Sequence, residues 1–206
     1  FTSPLRWKGN DWLTVGGVVA GTGAAVLLDD ETFALMERNH SSFNDGLSDA
    51  TVHYGSGITG IAVTGGMYLA GIAFENRWLR ETSVLTASAL TVSVATELTL
   101  KLALGRARPS TQLGNATFKP FNGKADFLSF PSGHTVVAFT LSTVLSERIN
   151  NTWASIGLYS LSTFVAASRM YTRSHWFSDV VFAGALSTFV ARSVVHSYEN
   201  GIMDEE

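Results

Sequence analysis

Long apolar stretches, rich in glycine, alanine, serine and threonine, recur along this chain and leave few options for its fold. Each stretch is long for a β-strand, and the glycine and proline residues that interrupt regular structure fall mainly between the stretches. The pattern therefore predicts six main α-helices. They cover residues 12–28, 58–74, 84–100, 135–145, 153–167 and 180–191.

Two shorter segments extend this helical pattern. Residues 31–39 and 46–54 carry an apolar residue at every third or fourth position, which predicts short additional helices. The acidic run at residues 29–31 favours a helix start, because carboxylates stabilise the positive end of the helix dipole. No repeat, low-complexity tract or proline-rich linker divides the 206 residues. We therefore expect residues 1–206 to form one all-α domain, a compact helical bundle.

The composition narrows the classes of function. Apolar residues make up 46% of the chain, and the formal net charge is −3, so no basic face is available to a nucleic acid. The absence of cysteine excludes disulfides, thiolate metal sites and a cysteine nucleophile. The chain begins at Phe1. We favour a cleaved export signal as the explanation, and trimming of the chain explains the same fact.

The apolar segments are close to the length that a membrane span requires. A span needs about 20 mainly apolar residues. The best segments here run about 17 residues before a charge, the fourth and sixth run only about 11–12, and Glu97 interrupts the third. These lengths slightly favour an exported domain that does not span the membrane, with six full spans as the alternative.

Three short clusters carry most of the reactive side chains. The first runs from Lys101 to Pro109, the second is Pro131-Ser132-Gly133-His134, and the third runs from Ser168 to Asp179. Arg108-Pro109 is predicted to end the third helix, and Pro131 to start the fourth. The third cluster joins the fifth helix to the sixth. In an antiparallel bundle these helix ends lie at one pole, so the topology predicts that the clusters converge.

The clusters suit a phosphoryl group. Such a group carries negative charge on its equatorial oxygens during transfer, so its catalysis depends on positioning and electrostatic stabilisation. Three cations, the free N–H groups of residues 132–134 and a serine hydroxyl are available for this purpose. Each cation taken singly is more typical of a helix end with a buried apolar stem. The candidate phosphate ligands are Lys101, Arg108, Ser132, Gly133 and Arg169.

Two histidines are the remaining candidate catalytic residues. His175 and Asp179 stand at i and i+4 on one helix face, so the carboxylate can hold one ring nitrogen while the other attacks phosphorus. His134, at the start of the fourth helix, is predicted to protonate the leaving alkoxide. The His175–Asp179 pair alone is more often a pair on a helix surface or half of a metal site. Nothing else supplies metal ligands at a fitting spacing, so no metal is expected.

Together the three clusters resemble the motif set of the type 2 phosphatidic-acid phosphatase superfamily, whose site is similar to those of vanadium haloperoxidases and bacterial class A acid phosphatases. The family pattern is Lys, six residues, Arg-Pro; then Pro-Ser-Gly-His; then Ser-Arg, five residues, His, three residues, Asp. Every element is present at the family's spacing between Lys101 and Asp179. The surrounding helices also look like the family's six-helix core.

The resemblance implies a role for each matched residue. His175 would form a phosphohistidine, and Asp179 would orient it. His134 would protonate the leaving group and then activate the water that releases phosphate. No metal or other cofactor is implied, and vanadate is expected to bind as an inhibitor. The phosphate oxygens would be held by Lys101, Arg108, Ser132, Gly133 and Arg169.

Other residues near the clusters lie outside the motif. Arg106 and Arg173 are interpreted as solvated surface charges, with a wider positive funnel for an anionic headgroup as the alternative. Residues 110–130 are predicted to form a lid over the site. The four phenylalanines of this lid either contact a lipid tail or pack the loop against the bundle. No role is assigned to His40, His53 and His196.

The resemblance therefore implies a metal-independent phosphatase acting on a phosphorylated membrane lipid. Phosphatidic acid, phosphatidylglycerophosphate, a polyprenyl pyrophosphate and the lipid A phosphate are the candidate substrates. The alternatives are an acid phosphatase on small soluble esters and a vanadium-dependent haloperoxidase, although haloperoxidases of this family are typically much longer chains. The expected location is exported, either periplasmic or membrane-associated, with integral membrane insertion left open and no nucleic-acid partner.

Overall fold

The structure is a computed structural model that describes residues 9–203, and α-helices dominate that range. Short 3-10 turns lie at His53–Gly55, Pro109–Thr111 and Ala125–Phe127. No β-strand forms within the described residues. The α-helices of this range are α1 Gly9–Val26, α2 Asp29–Arg38, α3 Ser42–Val52, α4 Gly57–Ala73, α5 Arg77–Leu104, α6 Gly133–Ile149, α7 Thr152–Tyr171 and α8 Phe177–Met203.

The predicted all-α bundle is confirmed, with eight helices over the described residues rather than six main ones alone. Helices α2 and α3 match the two short segments, and the other six helices match the six apolar segments. The largest differences are in length, because α5 has 28 residues and α8 has 27. Both continue through charged and polar positions at which the apolar pattern predicted an end.

Helix α6 lies at the centre of the bundle and packs against α5, α7 and α8. Its side chains Val136, Leu141 and Val144 are fully buried. Helix α8 also packs against α1 and α5, α4 packs against α5, and α3 packs against α7. Because three helices enclose α6, its first turn is fixed relative to the ends of α5, α7 and α8.

The ends of two helices differ from the prediction. Helix α5 ends at Leu104, before Arg108-Pro109, because Gly105 adopts a left-handed conformation with a φ of 59° and caps the helix. Pro109 instead opens a 3-10 turn. Helix α6 begins at Gly133 with Ser132 as its N-cap, so Pro131 precedes the helix rather than occupying its first turn.

Within the part of the chain that the structure describes, two helices are long and apolar enough to cross a membrane, namely Arg77–Leu104 and Phe177–Gly201. The number rises to four if each bent helix pair counts as one span; α1 and α2 meet at 55°, and the segment containing α3 meets α4 at 51°. The span lengths predicted from the sequence count a charged residue such as Glu97 as the end of an apolar run. In α5 that carboxylate is buried and pairs with Lys101 over 3.1 Å, so the charge does not end the helix.

The distribution of side chains also favours a membrane setting. Large apolar residues lie on the outside, with Ile58 81% exposed, Ile61 76% and Leu13 74%. The interior instead contains many serine and threonine hydroxyls, of which Thr82 and Ser142 are fully buried examples. Water disfavours so much exposed apolar surface, whereas lipid does not. The bundle therefore fits association with a membrane better than the non-spanning domain favoured from the sequence.

Candidate active site

The three clusters converge at one pole of the bundle, as the topology predicted. The end of α5, the start of α6, the end of α7 and the start of α8 meet there. The Ser132 N–H donates to the Asp179 carbonyl over 3.3 Å, and the His175 N–H donates to the Arg169 carbonyl over 3.2 Å. The Lys101, Arg108 and Arg169 cations all act electrostatically on His134. All eight predicted site residues therefore belong to one constellation.

Lys101 is held in a fixed position beneath the start of α6. Its Nζ donates to the Leu128 carbonyl over 2.8 Å and lies 3.1 Å from Glu97 Oε1. The approach is close, because a Cβ added to Gly133 would lie 2.9 Å from Glu97 Oε1 and 4.0 Å from Lys101 Cε. Glycine at this position allows the first turn of α6 to lie directly on this ion pair.

The two arginines are anchored differently. Arg108 donates from Nε to the Ala125 carbonyl over 2.9 Å. Arg169 donates from one terminal nitrogen to Ser174 Oγ over 2.6 Å. Its Nε is buried and has no hydrogen-bond partner among the described residues. A buried donor without an acceptor is costly, so the Arg169 guanidinium is suited to an anion that supplies the missing acceptor.

The first turn of α6 supplies fewer free N–H groups than the sequence predicted. The Ser132 N–H is already used by the Asp179 carbonyl, so the prediction for this group is wrong. The N–H groups of Gly133 and His134 have no acceptor within α6, as in any first helical turn. The Ser132 hydroxyl accepts from Thr135 Oγ1 over 2.9 Å, which leaves its own proton available for donation.

His175 is held by a backbone carbonyl. Its Nδ1 lies 2.6 Å from the Ser129 carbonyl oxygen and 3.7 Å from Asp179 Oδ2. A carbonyl oxygen only accepts, so Nδ1 carries the proton and Nε2 carries the free lone pair. The Asp179 carboxylate lies farther from Nδ1 than the Ser129 carbonyl does, and it stabilises the protonated ring across 3.7 Å. The clusters gave no signal for Ser129, since any residue provides a carbonyl.

Asp179 is fully buried in a set of strong donors. Its Oδ2 accepts from Ser129 Oγ over 2.5 Å and from the Trp176 N–H over 2.8 Å. Its Oδ1 accepts from Arg106 over 2.5 Å. The interpretation of Arg106 as a solvated charge is therefore wrong, since only 2% of this residue is exposed. Arg173 does lie at the surface, where it pairs with Glu37 over 2.6 Å.

Both site histidines are neutral over most of the pH range. Burial lowers the pKa of His175 to about 4, together with Lys101 and Arg108, while Asp179 acts in the opposite direction. Burial also lowers the pKa of His134 to about 4, and the cations Arg169, Lys101 and Arg108 add to that effect. Neutral His175 is competent as a nucleophile. Neutral His134 becomes an acid only when an anion offsets the neighbouring cations.

Two of the four phenylalanines in residues 110–130 pack the segment against the bundle, as one of the two alternatives predicted. Phe127 is buried, and Phe130 packs against Phe182 with ring centroids 4.7 Å apart, so these two hold the segment on the bundle. Phe118 is partly exposed and lies near the Arg106 guanidinium, whereas Phe121 is 80% exposed. The segment is therefore anchored by half of its phenylalanines and presents the other half outwards.

The bundle thus gathers three cations and two histidines at one pole, and among the described residues one of these cations keeps a buried N–H without an acceptor, a combination suited to an anion. Residues 80–202 match the sequence profile of the PAP2 superfamily. Since this match covers more than half of the chain, the protein belongs to the PAP2 superfamily, and the resemblance seen in the three clusters is confirmed.

Curated relatives match a shorter part of the chain. The lipid A 1-phosphatase of Porphyromonas gingivalis is 32% identical over 92 residues, which are 44% of this chain and 18% of that protein. The lipid A 1-phosphatase of Rhizobium etli is 33% identical over 101 residues, which are 45% of this chain and 41% of that protein. The match therefore spans less than half the length of each relative.

Solved structures share the fold over nearly the whole chain. The crystal structure of Aquifex aeolicus LpxE aligns with a TM-score of 0.65 and 20% identity, covering 82% of this chain and 95% of that one. A transmembrane PAP2-type phosphatidylglycerolphosphate phosphatase from Bacillus subtilis aligns with a TM-score of 0.67 and 15% identity, covering 89% and 95%. At these identities the likeness concerns the fold alone.

Proposed function

We propose that this protein is a membrane-associated phosphatase that removes phosphate from a lipid through a phosphohistidine on His175, without a metal. The observation that carries the proposal is the Arg169 guanidinium, whose buried Nε has no partner among the described residues although two other cations lie near the same histidine. Three buried or half-buried positive groups around one point are costly without an anion. A phosphate ester supplies that anion and its acceptor oxygens.

The first chemical step forms the phosphohistidine. The lone pair on His175 Nε2 attacks phosphorus as the bond from phosphorus to the leaving oxygen breaks, and His134 transfers its proton to that oxygen. Charge on the equatorial oxygens is stabilised by Lys101, Arg108 and Arg169. The positive charge that develops on the His175 ring lies 3.7 Å from the Asp179 carboxylate, which stabilises it.

The second step releases phosphate. His134, now neutral, accepts a proton from a water molecule as its oxygen attacks phosphorus. The nitrogen–phosphorus bond breaks, and the bonding electrons return to His175 Nε2. His175 is then neutral and His134 is protonated again, as at the start of the first step, and one water has been consumed to give one alcohol and one phosphate. Burial and the neighbouring cations lower the pKa of His134, so the ring releases its proton readily in the first step and is neutral before the second.

A lipid is favoured over a soluble ester as the substrate. An apolar groove of about 710 Å³ lies among α6, α7 and α8. Its lining includes Met170 at the end of α7 and Phe177 at the start of α8, so the groove extends to the pole of the bundle that carries the site. The named relatives are lipid A 1-phosphatases and a phosphatidylglycerolphosphate phosphatase. We place a glycolipid 1-phosphate such as that of lipid A first, followed by phosphatidylglycerophosphate, phosphatidic acid and polyprenyl pyrophosphate.

A hydrolysis panel tests this proposal. Phosphate release is measured from lipid A, phosphatidylglycerophosphate, phosphatidic acid, undecaprenyl pyrophosphate and p-nitrophenyl phosphate, with EDTA present and then with vanadate. We expect release to persist in EDTA, to fall with vanadate and to disappear in His175→Ala. The matched control is His40→Ala, an exposed histidine near Glu37 that belongs neither to the site nor to the lining of the groove. Release only from p-nitrophenyl phosphate would support the soluble acid phosphatase instead, and a requirement for metal would exclude the mechanism.

A further inference from the structure

We infer that Asp29 and Arg106 are positioning residues that set the charge which Asp179 presents to His175. The inference rests on the proposed function and deepens it, because it concerns the same nucleophile. Neither residue belongs to the motif set, and Asp29 lies about 150 positions before Asp179 in the sequence. The structure nevertheless joins the three side chains into one buried chain of alternating charge.

Arg106 bridges two carboxylates. One terminal nitrogen donates to Asp179 Oδ1 over 2.5 Å, and the other donates to Asp29 Oδ2 over 2.7 Å. The Nε of Arg106 donates to the Asn115 carbonyl over 2.9 Å, so each guanidinium nitrogen has an acceptor. Both aspartates are 0% exposed and the arginine is 2% exposed, so water does not screen these charges.

Asp29 also fixes the helix that carries the site. Its Oδ1 accepts the Ser178 N–H over 2.8 Å in the first turn of α8, and its Oδ2 accepts from Ser178 Oγ over 2.8 Å. Ser178 in turn accepts from Arg106 over 2.7 Å. The carboxylate at the start of α2 is therefore tied to the helix start that holds Asp179, which makes the arrangement rigid.

The net charge of this network affects the reactivity of the His175 ring. Arg106 carries one positive charge and is shared between two carboxylates, so the three groups together keep a net charge of −1 beside the His175 ring. If Arg106 paired with Asp179 alone, that charge would be neutralised. The second carboxylate thus preserves the negative potential that the ring needs when Nε2 bonds to phosphorus.

Charged groups on several of the elements packed around His175 face its ring. Asp179 of α8, Lys101 of α5 and Arg108 of the segment after α5 act on the ring directly. Asp29 and Arg106 act on it through Asp179. Lys101 and Arg108 are unchanged in variants of Asp29 and Arg106. Such variants therefore change only the net charge of the network that Asp29 and Arg106 form with Asp179, so the direction in which they shift the pKa of His175 can be predicted.

A set of charge variants tests the inference without relying on turnover. Histidine side chains are labelled with ¹³C in the full chain in detergent, and the His175 signal is assigned by its loss in His175→Asn. Its pKa is then measured in each protein. We expect Asp29→Asn to lower the pKa of His175, since the net charge becomes zero. Arg106→Gln is expected to raise it, since the net charge becomes −2.

The double variant Asp29→Asn/Arg106→Gln restores a net charge of −1 and is expected to return the pKa of His175 close to the wild-type value. A merely structural role predicts no such opposite shifts, so shifts of the same sign, or none, would overturn the inference. If Arg106→Gln does not fold, the comparison of Asp29→Asn with the double variant still decides, because the pKa must rise from the first to the second.

An exposed ion pair at the same pole provides the control. Arg173 and Glu37 pair over 2.6 Å without contacting Asp179, so Arg173→Gln is expected to leave the pKa of His175 unchanged.

Hydrolysis by the same proteins is measured separately, and kcat is expected to fall at least tenfold in Asp29→Asn and in Arg106→Gln and to recover partly in the double variant. Opposite pKa shifts in a protein that hydrolyses no phosphate ester would refute the proposed function while leaving the charge coupling intact.

Discussion

The pKa values of His134 and His175 are lowered to a similar extent, but the surroundings that lower them differ. His175 is almost completely buried, so the loss of water dominates its shift. His134 is only partly buried, and three cations contribute to its shift after burial. An anion that enters the site removes the contribution of the cations but not that of burial. Lys101 and Arg108 also act on His175, but there Asp179 opposes them, whereas Arg169 adds to them at His134. The two histidines are therefore expected to respond to a bound oxyanion to different extents.

Proton uptake on anion binding tests this difference. Sulfate is a suitable probe because it keeps its charge of −2 across the range from pH 5 to 7. Its charge offsets Lys101, Arg108 and Arg169, so the pKa of His134 rises from about 4 and a proton is taken up on binding. Sulfate affinity should therefore increase as the pH falls towards 5.

The measurement is titration calorimetry in buffers of different ionisation enthalpy. A buffer-dependent heat is expected in the wild type and in His196→Ala, and it should be lost in His134→Ala. Equal heats in all buffers for the wild-type protein would mean that His134 does not gain a proton when the anion binds.

The burial of His175 predicts a loss of stability in mild acid. An unfolded histidine has a pKa of about 6.5, whereas the pKa of His175 in the fold is about 4. The unfolded chain therefore binds a proton that the folded protein excludes, and stability falls as the pH drops from about 6.5 to about 4. The contribution lost between pH 7.5 and pH 5 is about 2 kcal/mol.

Thermal unfolding in detergent at these two pH values measures the effect. His175→Asn has no such ring to protonate, so its melting temperature should fall less between pH 7.5 and pH 5 than that of the wild type. An equal fall in both proteins would show that other groups, such as buried carboxylates, account for the acid sensitivity.

The motif residues of the site could be predicted from the sequence, whereas the residues that support them could not. Fixed spacing identified Lys101, His134 and His175 because side-chain chemistry at fixed positions leaves a pattern. Ser129 supports His175 through a backbone carbonyl, which leaves no pattern. Asp29 reaches the site only through the packing of α2 against α8, a contact that the sequence does not encode locally.

At the scale of elements, the 3-10 turn His53–Gly55 determines how α6 is seated. A Cβ added to Gly55 would lie 2.5 Å from the His134 carbonyl oxygen and 2.7 Å from Val165 Cγ1. The first contact is with backbone, so α6 itself would have to move. This turn is remote from the three clusters in sequence but lies directly against the start of the helix that carries His134.

Gly55→Ala is therefore expected to lower the free energy of unfolding by about 1–3 kcal/mol and to reduce kcat, because the displaced α6 carries His134 with it. The control is Gly157→Ala in α7, where an added Cβ has nothing within 4 Å. Stability and kcat are measured for both proteins. Wild-type behaviour of Gly55→Ala would mean that the start of α6 is not fixed by this contact.

The positions of the helices followed from apolar periodicity, but their ends did not. The pattern ended the third and sixth helices at charged or polar residues. In the structure, Glu97 and Lys101 neutralise each other within α5, and Gly105 ends that helix through its backbone conformation. An ion pair at i and i+4 and a left-handed glycine are thus the two features that determine the length of α5.

At the scale of the whole molecule, polar and apolar residues are distributed in a way that suits both a membrane and a phosphate. The exterior carries large apolar side chains, and the interior carries hydroxyls that bond to one another, as Ser142 and Ser162 do over 2.7 Å. Buried charged groups, such as Lys101, Arg106 and Asp179, are concentrated at the pole where α5, α6, α7 and α8 meet. A phosphorylated lipid has the same division between an apolar tail and an anionic end.

The covalent intermediate on His175 is the central claim, and a trapping experiment with His134→Ala tests it most directly. 4-Nitrophenyl [³²P]phosphate has a leaving group that needs no acid, so the first step should proceed in this variant while the second, which needs His134 as a base, should stall. We predict a burst of about one nitrophenol per protein with ³²P retained in a linkage that is stable to alkali and labile to acid. The label should be absent from the double variant His134→Ala/His175→Ala. Steady turnover without a burst, or an acid-stable label, would contradict the phosphohistidine mechanism.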